Sequence, residues 1–130
     1  MGSLILLVDN DLEFTYLIER YSRTIHWSIL RAEDAREALQ IVRNHKPSMI
    51  LLNLLLPPNG GYEVLRALKE NEDARKIPIT VFSSIPDEEQ AWAEGADFCL
   101  WKPVMLEDFI SALEAANLFI PGRIGEVDET

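Results

Sequence analysis

The stretch from Met49 to Gly61 reads MILLNLLLPPNGG. It is an apolar run interrupted by a single carboxamide, Asn53, and closed by a loop rich in proline and glycine. A run of this length between turn signals suits a strand buried on both faces, as in a parallel sheet. The first polar side chain after such a strand emerges at the carboxyl end of the sheet, where open α/β folds build their sites. Asn53 is therefore where chemistry is expected, and an amide stands there in place of a carboxylate.

Working outward, LILLV at 4–8 is a second fully apolar run, and it ends in Asp9-Asn10-Asp11. Phe14, Leu17, Ile18 and Tyr21 then recur at helical spacing, so a helix with one buried face runs to about Thr24. Asp9, Asn10 or Asp11 can each cap it. WSILRA at 27–32 is shorter and more polar, which puts it near an edge of the sheet. Asp34 and Glu37 have the spacing of a capping box, opening a helix that Pro47 has to end. Beyond Gly61, a helix to about Glu70 leads through a polar connection to the strand Ile79–Phe82, ended by Ser83-Ser84. Pro86 with Asp87, Glu88 and Glu89 marks a helix start. Phe98 to Trp101 is the fifth strand, closed by Lys102-Pro103. Leu106, Phe109, Ile110, Leu113 and Ala116 give the last helix its apolar face.

Five strands alternate with five helices, which predicts a flavodoxin-like α/β fold with a parallel sheet covered on both faces by right-handed crossovers. The two most apolar strands belong side by side at the centre, giving the strand order 2-1-3-4-5 with the switch point between them. The 130 residues form one domain over residues 3–118, and 119–130 read as an acidic tail or the start of a linker. The formal charge of −10 excludes the basic footprint that nucleic acid or an anionic membrane requires. No apolar run approaches a membrane span, and no secretory signal opens the chain. One cysteine, Cys99, leaves no internal disulfide and suits a cytoplasmic location; it reads as a small buried hydrophobe.

Four strand ends carry polar groups: Asp9/Asn10, Asn53, Ser83/Ser84 and Lys102. Together LLVDND, LLNLLLPPNGGYEVL, VFSS and GADFCLWKP, in this order and spacing, resemble the receiver domain of bacterial two-component response regulators over residues 3–118. In that family an aspartate at the third strand end takes a phosphoryl group as an acyl phosphate. Two acids after the first strand and one backbone carbonyl hold Mg²⁺, while a hydroxyl and a lysine contact the phosphoryl oxygens. Carried over by position, the acceptor is Asn53, the acid pair is Asp9 and Asn10, and the carbonyl is that of Leu55. The hydroxyl is Ser83, the lysine is Lys102, and Cys99 occupies the aromatic switch position.

Three positions depart from the pattern. Asn53 has no carboxylate oxygen to act as nucleophile. Asn10 removes the acid that holds the metal most directly, so Asp9 and Lys102 alone net about zero and Mg²⁺ binding at Asp9, Asn10 and Leu55 is expected to be weak or absent. Cys99 lacks a ring, and its neighbours Phe98 and Trp101 are expected on other faces. The expectation is an atypical, non-enzymatic receiver without a required cofactor. It would act by contact with a sensor kinase, an effector domain or itself through the fourth helix, fifth strand and fifth helix, with Trp92 as an exposed anchor. The alternative is a phosphoacceptor that uses Asp9 or Asp11 with Mg²⁺. Asn53 also reads as a turn residue bonding its own backbone. Lys102 is expected to pair with Asp9, Ser83 to serve a turn, and His26 and His45 to face water. A flavin- or nucleotide-binding role is poorly supported, because no glycine-rich loop follows the first strand.

Overall fold

The computed structural model describes residues 3–56, 60–84 and 88–118. The expected Pro57 turn, the Pro86-Asp87 helix start and the tail 119–130 lie outside the described residues. The chain runs β1 (Leu4–Val8), α1 (Leu12–Thr24), β2 (Ser28–Ala32), α2 (Ala35–His45), β3 (Met49–Asn53), α3 (Gly61–Glu70), β4 (Ile79–Ser83), α4 (Glu88–Ala93), β5 (Phe98–Trp101) and α5 (Leu106–Ala115). The sheet order is β2-β1-β3-β4-β5, and every pairing is parallel.

The apolar runs decide this order. Ile5 to Val8 and Met49 to Leu52 are fully buried, so β1 and β3 take the centre, while the partly exposed β2 forms one edge. Strand side chains alternate between faces. Leu6, Val8, Ile50 and Leu52 meet α2, α3 and α4, packing with Val42, Leu65, Leu68 and Ala91. Ile5, Leu7, Met49 and Leu51 meet α1 and α5, packing with Ile18, Phe109 and Leu113. The two layers sandwich the sheet. The polar connection after α3 contains a short 3-10 turn, Ala74–Lys76, that the sequence did not announce; it anchors through the fully buried Ala74.

Local chemistry sets the helix ends. The Asp11 carboxylate accepts from the backbone N–H of Glu13 and of Phe14, at 3.0 and 3.3 Å, and so caps α1. Asp34 accepts from Glu37 N–H at 2.8 Å, while the Glu37 side chain accepts from Glu33 N–H, one residue before the cap. Lys46 closes α2 in the left-handed region at φ 50°. His26 and His45 are both exposed, as expected.

Candidate functional site

Register brings the polar strand ends together. Val8 lies opposite Leu52, so the next pair across β1 and β3 is Asp9 and Asn53. The α3 N-terminus presses against the end of β3: a Cβ on Gly61 would meet the carbonyl oxygen of Asn53 at 2.2 Å and Cα of Leu54 at 2.6 Å. Only glycine allows this approach, and it holds the loop after β3 close to the strand. Gly61 N–H donates to Leu54 O at 2.7 Å, fixing the same junction.

Asp9 is fully buried. Its Oδ1 accepts from the Asn53 side-chain Nδ2 at 2.8 Å and from Asn10 N–H at 2.9 Å. Its Oδ2 has no hydrogen-bond partner among the described residues. Burial pushes the carboxyl above its ordinary value, against the pull of the Asn53 amide, the Asn10 N–H, the Lys102 charge and the Asp11 N–H. The amide of Asn53 is used at both ends, since Oδ1 accepts from Leu55 N–H at 2.9 Å. The sequence reading of Asn53 as a turn residue bonding its own backbone therefore holds, and the same amide also ties β3 to β1.

Asn10 is exposed, and Asp11 turns into the α1 cap. Leu55 is half-exposed and contributes its N–H to Asn53. Ser83 is buried at the end of β4, where its carbonyl accepts from Lys102 N–H at 2.9 Å.

Lys102 does not form the expected ion pair with Asp9. Its Nζ lies 4.7 Å from the centroid of the Phe14 ring and 5.4 Å from that of Phe82. The two rings stack with centroids 4.4 Å apart. With a single carboxylate to attract it, the ammonium settles on the negative faces of the rings, and its charge reaches Asp9 only through space.

The expected faces of β5 also need correcting. Phe98 packs with the α1/α5 layer and Cys99 with the opposite layer, so those two do point apart. Trp101 is two residues from Cys99 and shares its side of the strand. Its indole N–H donates to the Glu88 carboxylate on α4 at 3.0 Å. Cys99 is half-buried, and burial beside the Glu88 charge raises its thiol pKa to about 11. Arg31 went unnoticed in the sequence. From β2 its guanidinium donates to the Asp9 backbone carbonyl at 3.0 Å and to Glu33 at 2.9 Å, bracing the carboxyl end of β1. A charged arginine inside a five-residue edge strand was the available signal.

As a Mg²⁺ site this donor set is a poor fit. Mg²⁺ asks for near-octahedral oxygens that are largely charged. Among the described residues Asp9 alone brings a carboxylate to the end of β1 beside Asn53, and Nδ2 of Asn53 points hydrogens at it where a bridging cation would need an oxygen. Among the described residues no cluster of three or more metal-ligating side chains occurs.

Comparison with known proteins converges on one family. The response regulator receiver domain pattern matches residues 5–114. The polar-differentiation response regulator DivK of Brucella ovis is 32% identical over 119 residues, covering 87% of this chain and 94% of that protein. The chemotaxis protein CheY4 of Vibrio cholerae superposes with a TM-score of 0.80 at 21% identity, over 89% of this chain and 99% of its own. The receiver domain of the sensor histidine kinase PA1611 from Pseudomonas aeruginosa, solved with magnesium coordinated in its active-site cleft, gives a TM-score of 0.79 at 22% identity over 90% of this chain and 99% of its own. Both structures share the fold. With its polar strand ends at the carboxyl edge of a 2-1-3-4-5 sheet, this chain belongs to the response regulator receiver domain family.

Proposed function

We propose that this receiver domain signals through protein contacts and carries no aspartyl phosphate at the usual acceptor position. The observation that carries the reading is the Asn53 amide, which donates to buried Asp9 and accepts from Leu55 N–H. An acyl phosphate forms when a carboxylate oxygen attacks phosphorus, and a carboxamide offers no such oxygen. Asn53 instead performs, without a metal, the task of tying the ends of β1 and β3 together. The placement of Lys102 over Phe14 and Phe82 supports the same reading, because position 53 offers it no carboxylate to pair with.

The contact surface is formed by α4, β5 and α5. β5 is an edge strand, and Trp92, Trp101 and Met105 are exposed there at 45%, 36% and 60%. Aromatic anchors of this kind concentrate binding energy. A sensor kinase, an effector domain or a second copy of the chain is the partner, working in the cytoplasm, with no direct contact to nucleic acid or membrane. No helix among the described residues is long and apolar enough to cross a membrane.

The competing reading makes Asp9 or Asp11 the acceptor. Asp9 is fully buried and Asp11 is occupied capping α1, which favours the first reading. Incubation with Mg²⁺ and a small acyl phosphate donor, followed by intact mass, decides between them. The expected result is an unchanged mass. A phosphoryl adduct that is lost on Asp9→Ala or Asp11→Ala overturns the proposal.

A further inference from the structure

The end of the sheet opposite Asp9 and Asn53 carries a cavity of about 380 Å³. Its floor is apolar, made by Val42 of α2, by Pro47 before β3 and by Ile77 before β4. Val42 and Pro47 are buried and Ile77 partly so. The rim is cationic. Arg43 comes from the last turn of α2, Lys46 is the cap of that helix, and Lys76 comes from the separate turn before β4. All three are exposed, and Asp73 is the one acid among the lining residues.

A chain of net charge −10 with 12 lysines and arginines thus sets three of them around one opening. Cations at the end of a helix are ordinarily explained by its dipole. That accounts for Arg43 and Lys46 but not for Lys76, which a different segment brings to the same rim. Nor does the fold neutralise them. The ion pairs of the described residues engage Arg31, Arg66 and Lys69 instead.

We propose that this cavity docks an acidic peptide segment of a partner protein, with one aliphatic side chain on the floor and flanking carboxylates at Arg43, Lys46 and Lys76. The charge pattern selects an acidic occupant, and the apolar floor selects a peptide over a small inorganic anion, which would gain nothing from Val42 and Ile77. Repulsion from the rest of the acidic surface is screened beyond roughly 8 Å at physiological salt, so the local rim governs docking. The cavity lies one strand length, about 17 Å, from the Asp9–Asn53 pair, and a partner there leaves the α4–β5–α5 surface free.

The test is a titration of the ¹⁵N-labelled full chain with a blocked Glu-Glu-Leu-Glu-Glu peptide, its all-glutamine counterpart and a version with glycine for leucine. Saturable amide shifts confined to residues 42–47 and 73–77 are expected with the first peptide alone, weakening as salt is raised. Arg43→Glu with Lys46→Glu and Lys76→Glu should lower the affinity at least about tenfold, and Asp73→Asn should raise it. Should the triple variant unfold, Lys76→Ala alone carries the test, with a smaller loss expected. Undiminished binding to the charge-altered chain, shifts centred elsewhere, or equal shifts from free glutamate overturn the proposal. Self-association abolished by the same substitutions would make a second copy the occupant and overturn it equally.

Discussion

Asn53 closes two hydrogen bonds that a carboxylate could not both make, because Asp9 needs a donor opposite it. Asn53→Asp replaces that donor with an acceptor and sets two carboxylates against each other, so one must stay protonated. The expected cost is about 1–3 kcal/mol at neutral pH, read by urea unfolding. Mg²⁺ should recover part of this loss in Asn53→Asp and more of it when Asn10→Asp is added. An equal response to Mg²⁺ in the single and double variants would refute the charge argument. Asp9 also sets a pH dependence. Its folded pKa lies above the unfolded value, so the folded state holds the proton more tightly. The stability this contributes is fully present below the ordinary carboxylate value and is lost as pH rises through the raised one. Followed by denaturant unfolding as pH is raised, the stability of the parent chain should fall relative to that of Asp9→Asn.

At the scale of elements, β1, β3 and β4 were legible because burial on both faces leaves continuous apolar runs, and the runs fix these strands and the partly exposed β5 to within a residue. α1 was legible from its cap, and Asp11→Ala should cost about 1 kcal/mol in thermal or urea unfolding. What escaped the sequence was side-chain reach across elements. The resting place of Lys102 depends on Phe14 and Phe82 meeting from α1 and β4, which no local spacing encodes. Arg31 was missed for the same reason, since one of its partners is the backbone carbonyl of Asp9, just past β1. The side taken by Trp101 was available from the two-residue period and was misread. Gly61 lies within the LLNLLLPPNGGYEVL stretch that carries the family resemblance, but only packing explains it. Gly61→Ala drives a methyl into the backbone of Asn53 and Leu54 and should cost about 1–3 kcal/mol or more, with amide shifts spreading to Asp9.

For the whole molecule, the parallel order gathers every strand's carboxyl end on one side and leaves the α4–β5–α5 surface lateral to it. The hydrogen bond from Trp101 to Glu88 links β5 to α4 across that surface. Trp92, 45% exposed on the short helix α4, should behave as an anchor. Trp92→Ala is expected to weaken partner binding or self-association about tenfold or more while leaving the unfolding midpoint nearly unchanged. Sedimentation velocity and titration against a cognate kinase check this, and unchanged values in both would remove Trp92 from the interface.

The amide at position 53 also has a lifetime. Asparagine ages to aspartate when the next backbone nitrogen attacks its side-chain carbonyl and closes a succinimide ring. Here that nitrogen belongs to Leu54, whose N–H is held by Phe82 O at 3.0 Å within the sheet. The ladder therefore keeps the one spontaneous reaction that would install a carboxylate at this strand end from starting. Peptide mapping after prolonged warm storage should find residue 53 still an amide for as long as the fold persists.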